Sequence, residues 1–219
     1  MYEVGPRTFG GKHGGVVSVE AQRSPKPLGQ VRILAPLQKM ATLKIVTYPK
    51  KILKVRAQEV PEITQEIERL IPQMIETMYG SQGIGLAAPQ VGISKRLIIV
   101  ETSDDPRATV RETSRHVRGR PLAFLNPVIV KKSKETAIDE EGCLSLPGIF
   151  VPVKRAESVE IVCQTADGSK VRVETGGLTA RIFQHEIDHL EGKLIINHLD
   201  PLRKFKIRRQ LKELVQKIK

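Results

Sequence analysis

The segment Leu178-Thr-Ala-Arg-Ile-Phe-Gln-His185-Glu186-Ile-Asp-His189-Leu190 restricts the fold of this chain more than any other stretch. Leu178, Ile182, His185 and His189 recur at spacings of 4, 3 and 4, which puts them on one face of an α-helix. Phe183, Ile187 and Leu190 cover the adjoining face, so the helix is apolar around most of its circumference and belongs inside the protein. Gly192 is placed to end it as the C′ residue. A buried helix that carries two imidazoles and a carboxylate must satisfy them, because unpaired polar groups are costly away from water. Two histidines one turn apart can aim their nitrogens at one ion about 2.0–2.1 Å away, and Glu186 beside them can handle a metal-bound water's proton. A pair of hydrogen-bonded core histidines is the alternative.

Two histidines need a third ligand. The position six residues after His189 is Ile195, Glu213 lies in a lysine-rich tail, Asp188 points to another helix face, and Asp200 suits a helix cap. Cysteine remains, and the chain has two. Cys143 lies in Glu140-Glu141-Gly142-Cys143-Leu144-Ser145-Leu146-Pro147-Gly148, a turn-rich run in which a thiolate could face an ion. Cys163 alternates within Val159-Glu160-Ile161-Val162-Cys163 as a strand residue and reads as a small core hydrophobe. A Cys143–Cys163 disulfide is the competing reading.

Charge and composition narrow the function classes. The net charge of +12 concentrates at the ends. Residues 1–40 hold six Lys/Arg against two Glu, residues 201–219 hold eight against one, and residues 41–200 hold 22 against 21 acids. A near-neutral body argues against a strong field over a central nucleic-acid surface, and aromatics at 4% with no Trp argue against base-stacking platforms. No apolar run is long enough to span a bilayer. Residues 1–40 carry six glycines, among them Gly10, Gly11, Gly14 and Gly15, and four prolines among few periodic positions, and read as a disordered leader or a non-native extension with Met40 as the true start. They lack a secretory h-region, while import into an organelle stays open.

From Ala41 the pattern changes. Leu43, Ile45 and the Tyr48-Pro49 corner suggest a short strand and a turn, and Ile63, Ile67, Leu70, Ile71, Met74, Ile75 and Met78 form the stripe of one amphipathic helix. Pro72 within that stripe predicts a kink or a late start. Residues 80–92 read as a glycine-punctuated loop, with strands at 96–101, 122–125, 127–131, 157–163 and 170–174 and a polar excursion at 102–120. Many short strands and few helices predict an α+β fold of mixed, mostly antiparallel sheets around the His-Glu-x-x-His helix.

Three segments carry a resemblance. Gly83-Ile84-Gly85-Leu86-Ala87-Ala88-Pro89-Gln90, Glu141-Gly142-Cys143-Leu144-Ser145 and Gln184-His185-Glu186-Ile187-Asp188-His189 resemble, in order and spacing, the signature motifs of bacterial-type peptide deformylases. The resemblance spans about 41–200, including Asn126-Pro127; Lys50-Lys51, Pro72 and the 102–120 insertion depart from the family pattern. It implies that Cys143, His185 and His189 hold one divalent metal, Fe²⁺ natively with Zn²⁺, Ni²⁺ or Co²⁺ as substitutes, and leave a position for water. It also implies that this water attacks the formyl carbon of an N-formylmethionyl nascent peptide with Glu186 as general base and acid. Gln90 and the backbone N–H of Leu144 would stabilise the oxyanion. The loop Gly83-Ile84-Gly85 would pair with substrate, Glu141 would sit at the site, and Ile84, Leu178, Ile182 and His185 would line the methionine pocket. Read from the residues and not from the resemblance, Glu141 is also a candidate partner for Arg155 that would hold the cysteine loop. A Glu141–Arg155 pair on the surface would contribute at most about 1 kcal/mol. Gln90 as a mere turn cap is the bland reading. Cysteine ligation and an oxidisable metal fit a reducing cytoplasm.

Asp200 as N-cap and Pro201 at N1 predict a C-terminal basic helix with an apolar stripe of Ile207, Leu211, Leu214 and Ile218. The resemblance implies ribosome contact through it, with no membrane and no sequence-specific nucleic acid as partners. A generic zinc endopeptidase, which would not need Cys143, and an RNA-binding module built on the two basic ends are the rival functions.

Overall fold

The architecture, taken from a computed structural model that describes residues 18–21, 42–102 and 120–217, is α+β. Eight strands run in chain order: β1 (Ser18–Ala21), β2 (Gly85–Ala87), β3 (Leu97–Thr102), β4 (Arg120–Lys132), β5 (Thr136–Gly142), β6 (Phe150–Ala156), β7 (Ser158–Thr165) and β8 (Lys170–Gly176). Three α-helices accompany them: α1 (Gln65–Gly80), α2 (Gly177–Leu190) and α3 (Pro201–Lys217). The main sheet has the order β1-β8-β7-β4-β3-β2, β5 and β6 form a separate hairpin, and every ladder is antiparallel.

The unbroken apolar run of β3 has a direct cause: both faces of the sheet are covered there. Leu97 and Ile99 pack with Met74, Met78 and Leu70 of α1, while Ile98 and Val100 join Phe183, Ile187 and Leu190 of α2. Toward the β8 side the pattern relaxes to alternation, with Val159, Ile161 and Cys163 of β7 and Val171 and Val173 of β8 turned to α2. The helix is thus sandwiched as its apolar circumference requires. Each fully buried large side chain, such as Phe183 or Leu190, contributes on the order of 1.5–3 kcal/mol.

Helix α2 closes in a Schellman arrangement: Lys193 N–H donates to Asp188 O at 2.8 Å and Gly192 N–H to His189 O at 3.2 Å, with Gly192 at φ +69°. A Cβ at Gly192 would lie 2.7 Å from the carbonyl carbon of Lys54, so only glycine lets the short 3₁₀ turn Lys51–Lys54 approach the helix end.

Several expectations change in detail. Residues 42–47 form no strand; Val46 N–H donates to Gln90 O, and Leu43 N–H to Thr77 Oγ1. Helix α1 begins at Gln65, ahead of Pro72, so there is no late start; the ring simply removes one donor from within the helix. The strands expected at 122–125 and 127–131 are one strand, β4, whose register shifts between Leu125 and Val128 where Asn126 takes φ +49°. Within residues 80–92 lie strand β2 and a 3₁₀ turn, Ala88–Val91. The β5–β6 hairpin was not anticipated. Of residues 1–40, Ser18–Ala21 pair along β8 as an edge strand; the rest, like Ile218 and most of the 102–120 excursion, lie outside the described residues. No described helix is long and apolar enough to cross a membrane.

Candidate active site

Hairpin β5–β6 carries the cysteine to the helix. Its connection, Cys143 to Ile149, folds on itself through Leu146 N–H to Cys143 O (2.9 Å) and Ile149 N–H to Leu146 O (3.1 Å). Leu146 and Ser145 are fully buried, and Tyr48 N–H donates to Ser145 O at 2.9 Å, so the loop is pinned from beneath by a core cluster that includes Leu53, Val151, Val153 and Leu194. Cys143 Sγ then lies 3.2 Å from His189 Nε2, and the ligating atoms of Cys143, His185 and His189 all fall within 4.8 Å of one another. The imidazoles meet edge to face, centroids 5.1 Å apart. Cys143 and Cys163 are both free thiols.

Behind the histidines stands a buried charge network. Glu141 Oε2 accepts from His185 Nδ1 at 3.0 Å, which leaves His185 Nε2 for the site. Arg155 donates to both Glu141 oxygens at 3.0 Å, and Arg181 donates to Oε1 at 2.7 Å. The Glu141–Arg155 pair lies inside the protein, so the weak worth of a surface pair does not apply: Glu141 is 5% exposed and Arg155 6%. Burial opposes ionisation of Glu141, but the hydrogen bonds from His185 and Arg155 outweigh it and hold the carboxyl far below the usual range. Burial likewise opposes ionisation of Cys143; the neighbouring imidazoles of His189 and His185 more than offset this and bring the thiol down to about 5. The donor set is therefore a thiolate and two imidazoles, which fits a single divalent cation of the zinc or ferrous type. Glu186 Oε2 is buried and without a hydrogen-bond partner among the described residues, as a polar atom awaiting a polar occupant would be; His189 Nδ1, on the ring side away from the sulfur, is also unpartnered among them.

Glu186 is buried against β2. A Cβ on Gly85 would land on Glu186 Oε1 and come within 2.8 Å of Ile182 Cγ2, so the glycine is required for the carboxylate to sit there. Burial pushes the Glu186 carboxyl up to about 7, even with both histidines pulling the other way. Gln90, 1% exposed, faces both ways: its Oε1 accepts from Ala87 N–H at 2.8 Å, while its Nε2 points at Cys143 Sγ (3.6 Å) and Ser145 Oγ (3.4 Å). It caps its own turn and also presents a donor to the sulfur. Leu144 lies in the turn after the cysteine, its side chain against Gly83, and its N–H has no partner among the described residues. Ile84, Leu178 and Ile182 share one apolar cluster beside His185.

Sequence reasoning did not identify Arg181, although a lone arginine four residues before His185 on an apolar helix was a usable signal. Nor did it identify Ser145, or Gln184, whose amide bonds both backbone groups of Ala156 and ties α2 to β6.

This arrangement defines a hydrolytic class: an α+β enzyme with one Cys/His/His centre and a buried carboxylate on the same helix. The polypeptide deformylase family profile matches residues 42–205. The chain is 43% identical to a peptide deformylase of Thermodesulfovibrio yellowstonii over 79% of its own length and 98% of that protein, and 41% identical to one of Tolumonas auensis over 81% and 98%. The crystal structure of a peptide deformylase from Ehrlichia chaffeensis, 34% identical, superimposes with a TM-score of 0.70 over 82% of this chain and 98% of that one. The chain belongs to the polypeptide deformylase family and is a hydrolase that removes formyl groups from peptides.

The two thiols should react differently. With metal stripped, iodoacetamide should modify Cys143 at a rate nearly flat from about pH 6 to about pH 8, since its thiolate already dominates. Burial raises the Cys163 thiol to about 12, so Cys163 should stay unmodified until the fold is lost. Peptide mapping by mass spectrometry reads both; Cys143 labelling that climbs tenfold per pH unit would contradict the assigned electrostatics.

Proposed function

We propose that the chain hydrolyses the N-formyl group from the N-terminal formylmethionine of newly synthesised proteins, releasing formate and a free amine. One observation carries the reading: a loop thiolate and two helix imidazoles converge within 4.8 Å, with a buried carboxylate on the helix turn between the histidines. A divalent cation held by Cys143, His185 and His189 would supply Lewis acidity and a water that ionises near neutral pH. Fe²⁺ is our reading of the native metal, with Zn²⁺, Ni²⁺ or Co²⁺ able to replace it.

Each residue then has a distinct task. Glu186 takes the attacking water's proton and passes it to the departing amine; its burial beside the histidines places the carboxylate where it can serve both directions. The developing oxyanion of the formyl carbonyl is met by Gln90 Nε2, whose other amide atom is fixed by Ala87 N–H, and by the N–H of Leu144. Gln90 costs no reorganisation because its amide is already oriented. Strand β2 ends the sheet, so the segment Gly83-Ile84-Gly85 leads into an outer strand to which an extended peptide can add, although Gly83 N–H is already held by Met78 O and Ile84 O by Glu101 N–H. The methionine side chain enters between Ile84, Leu178 and Ile182 beside His185. Glu141, with its oxygens engaged by His185, Arg155 and Arg181, acts on substrate indirectly, by holding His185 in the tautomer that turns Nε2 to the ion.

In this reading residues 41–200 are the catalytic domain, the enzyme works in the cytoplasm, and α3 is a basic arm. Helix α3 is capped by Asp200 Oδ1 on Arg203 N–H at 2.8 Å; Ile207, Leu211 and Leu214 pack on the core beneath the cysteine hairpin. Its exposed cations would contact ribosomal phosphates.

Glu186→Gln should lower kcat for formyl-Met-Ala-Ser by about 10²–10⁴-fold while metal content stays at one per chain. Formate release near the wild-type rate would remove Glu186 from the chemistry. Because Leu214 is buried, neutralising Lys204, Lys206, Arg208 and Lys212 to Gln tests the arm without opening the core. Ribosome co-sedimentation should fall, most at low salt, with turnover intact; unchanged sedimentation would dismiss the arm.

A further inference from the structure

The neighbouring face of α2 opens onto a second cleft, of about 380 Å³, separate from the reaction centre. The exposed Lys132 at the end of β4, Lys154 on β6 and Lys193 after α2 line it, together with the buried Arg155, with Asp188 and with the exposed His198. The three lysines come from different parts of the chain, and among the described residues none is paired with a carboxylate. Asp188 is the one acid in the lining, and its Oδ2 is already taken by Arg155 Nη1 at 2.5 Å and His198 Nε2 at 2.6 Å. Arg155 is immobilised from behind by Glu141. The Arg155 charge is already balanced by Asp188 and Glu141, so the excess positive charge of the cleft is that of the three lysines, and a multivalent anion seated among them offsets their mutual repulsion. The hydroxyl-bearing Ser133 and Thr136 also line the cleft, and its volume is that of a small-molecule site.

We propose that this cleft binds a multiply charged phosphate anion, supplied either by a free oligophosphate or by consecutive phosphates of an RNA backbone. The three lysines stand apart from the hydrolytic centre, with no contact to Cys143, His185, His189 or Glu186, while Arg155 is shared between the cleft and Glu141.

Calorimetric titration of the full, metal-loaded chain with tripolyphosphate and with a short single-stranded oligoribonucleotide tests it, with metal content measured afterwards so that chelation is not read as binding. Lys132→Gln/Lys154→Gln/Lys193→Gln should bind at least about tenfold more weakly and with a shallower salt dependence, while formate release and circular dichroism stay at wild-type values. The four-site α3 variant described above should bind the same probe as tightly as wild type. Loss confined to tripolyphosphate identifies a free oligophosphate as the ligand; loss with the oligoribonucleotide alone identifies RNA. No binding by the wild-type chain, equal affinity in the triple variant, or loss only in the α3 variant overturns the proposal.

Discussion

The carboxylate of Glu141 is the point on which the site is built. It sits on β5 inside the protein and accepts hydrogen bonds from His185 on α2, from Arg155 on β6 and from Arg181 on the first turns of α2. These contacts join the cysteine hairpin to the histidine helix, two units far apart in sequence. Breaking one partner out of a buried ionic network costs about 3–5 kcal/mol, because the charges left behind stay unpaired. The network therefore has one well-satisfied arrangement, and in that arrangement the sulfur faces both rings. Gln184, bonded to both backbone groups of Ala156, adds a second tie in the same direction.

The rest of the fold keeps those two units in place. β3 divides the interior, giving Leu97 and Ile99 to α1 and Ile98 and Val100 to α2. The α2 side must tolerate imidazoles and a carboxylate within an otherwise apolar layer, and it does so by crowding: Gly85 has no Cβ because Glu186 occupies that space. The carboxyl is then dry enough to be raised to about 7. Dryness, a close backbone and an anchored amide at Gln90 are one structural fact seen from three residues.

The central helix and its flanking strands were legible because their burial is apolar and periodic. Phe183, Ile187 and Leu190 mark α2, and Val159, Ile161 and Cys163 mark β7, from side-chain pattern alone. Hairpin β5–β6 was not, since β5 turns a charged residue, Glu141, inward where pattern reading looks for an apolar one, and β6 carries Pro152, a residue that pattern reading counts against a strand. The expected strand at Leu43 and Ile45 fails for a related reason: its backbone is satisfied by Thr77 and Gln90 rather than by a neighbouring strand. The grouping of Cys143, His185, His189 and Glu186 was readable from local motifs. Its support at Arg181 and Ser145 depends on contacts across the fold that no local spacing encodes.

The central claim is that Cys143 sulfur and the two imidazoles share one ion. X-ray absorption at the metal edge of the anaerobically purified protein tests it most directly. The account predicts one sulfur scatterer at about 2.3 Å and two imidazole nitrogens at about 2.0–2.1 Å, with the sulfur shell lost in Cys143→Ser. A first shell of nitrogen and oxygen alone in the wild-type protein would contradict it.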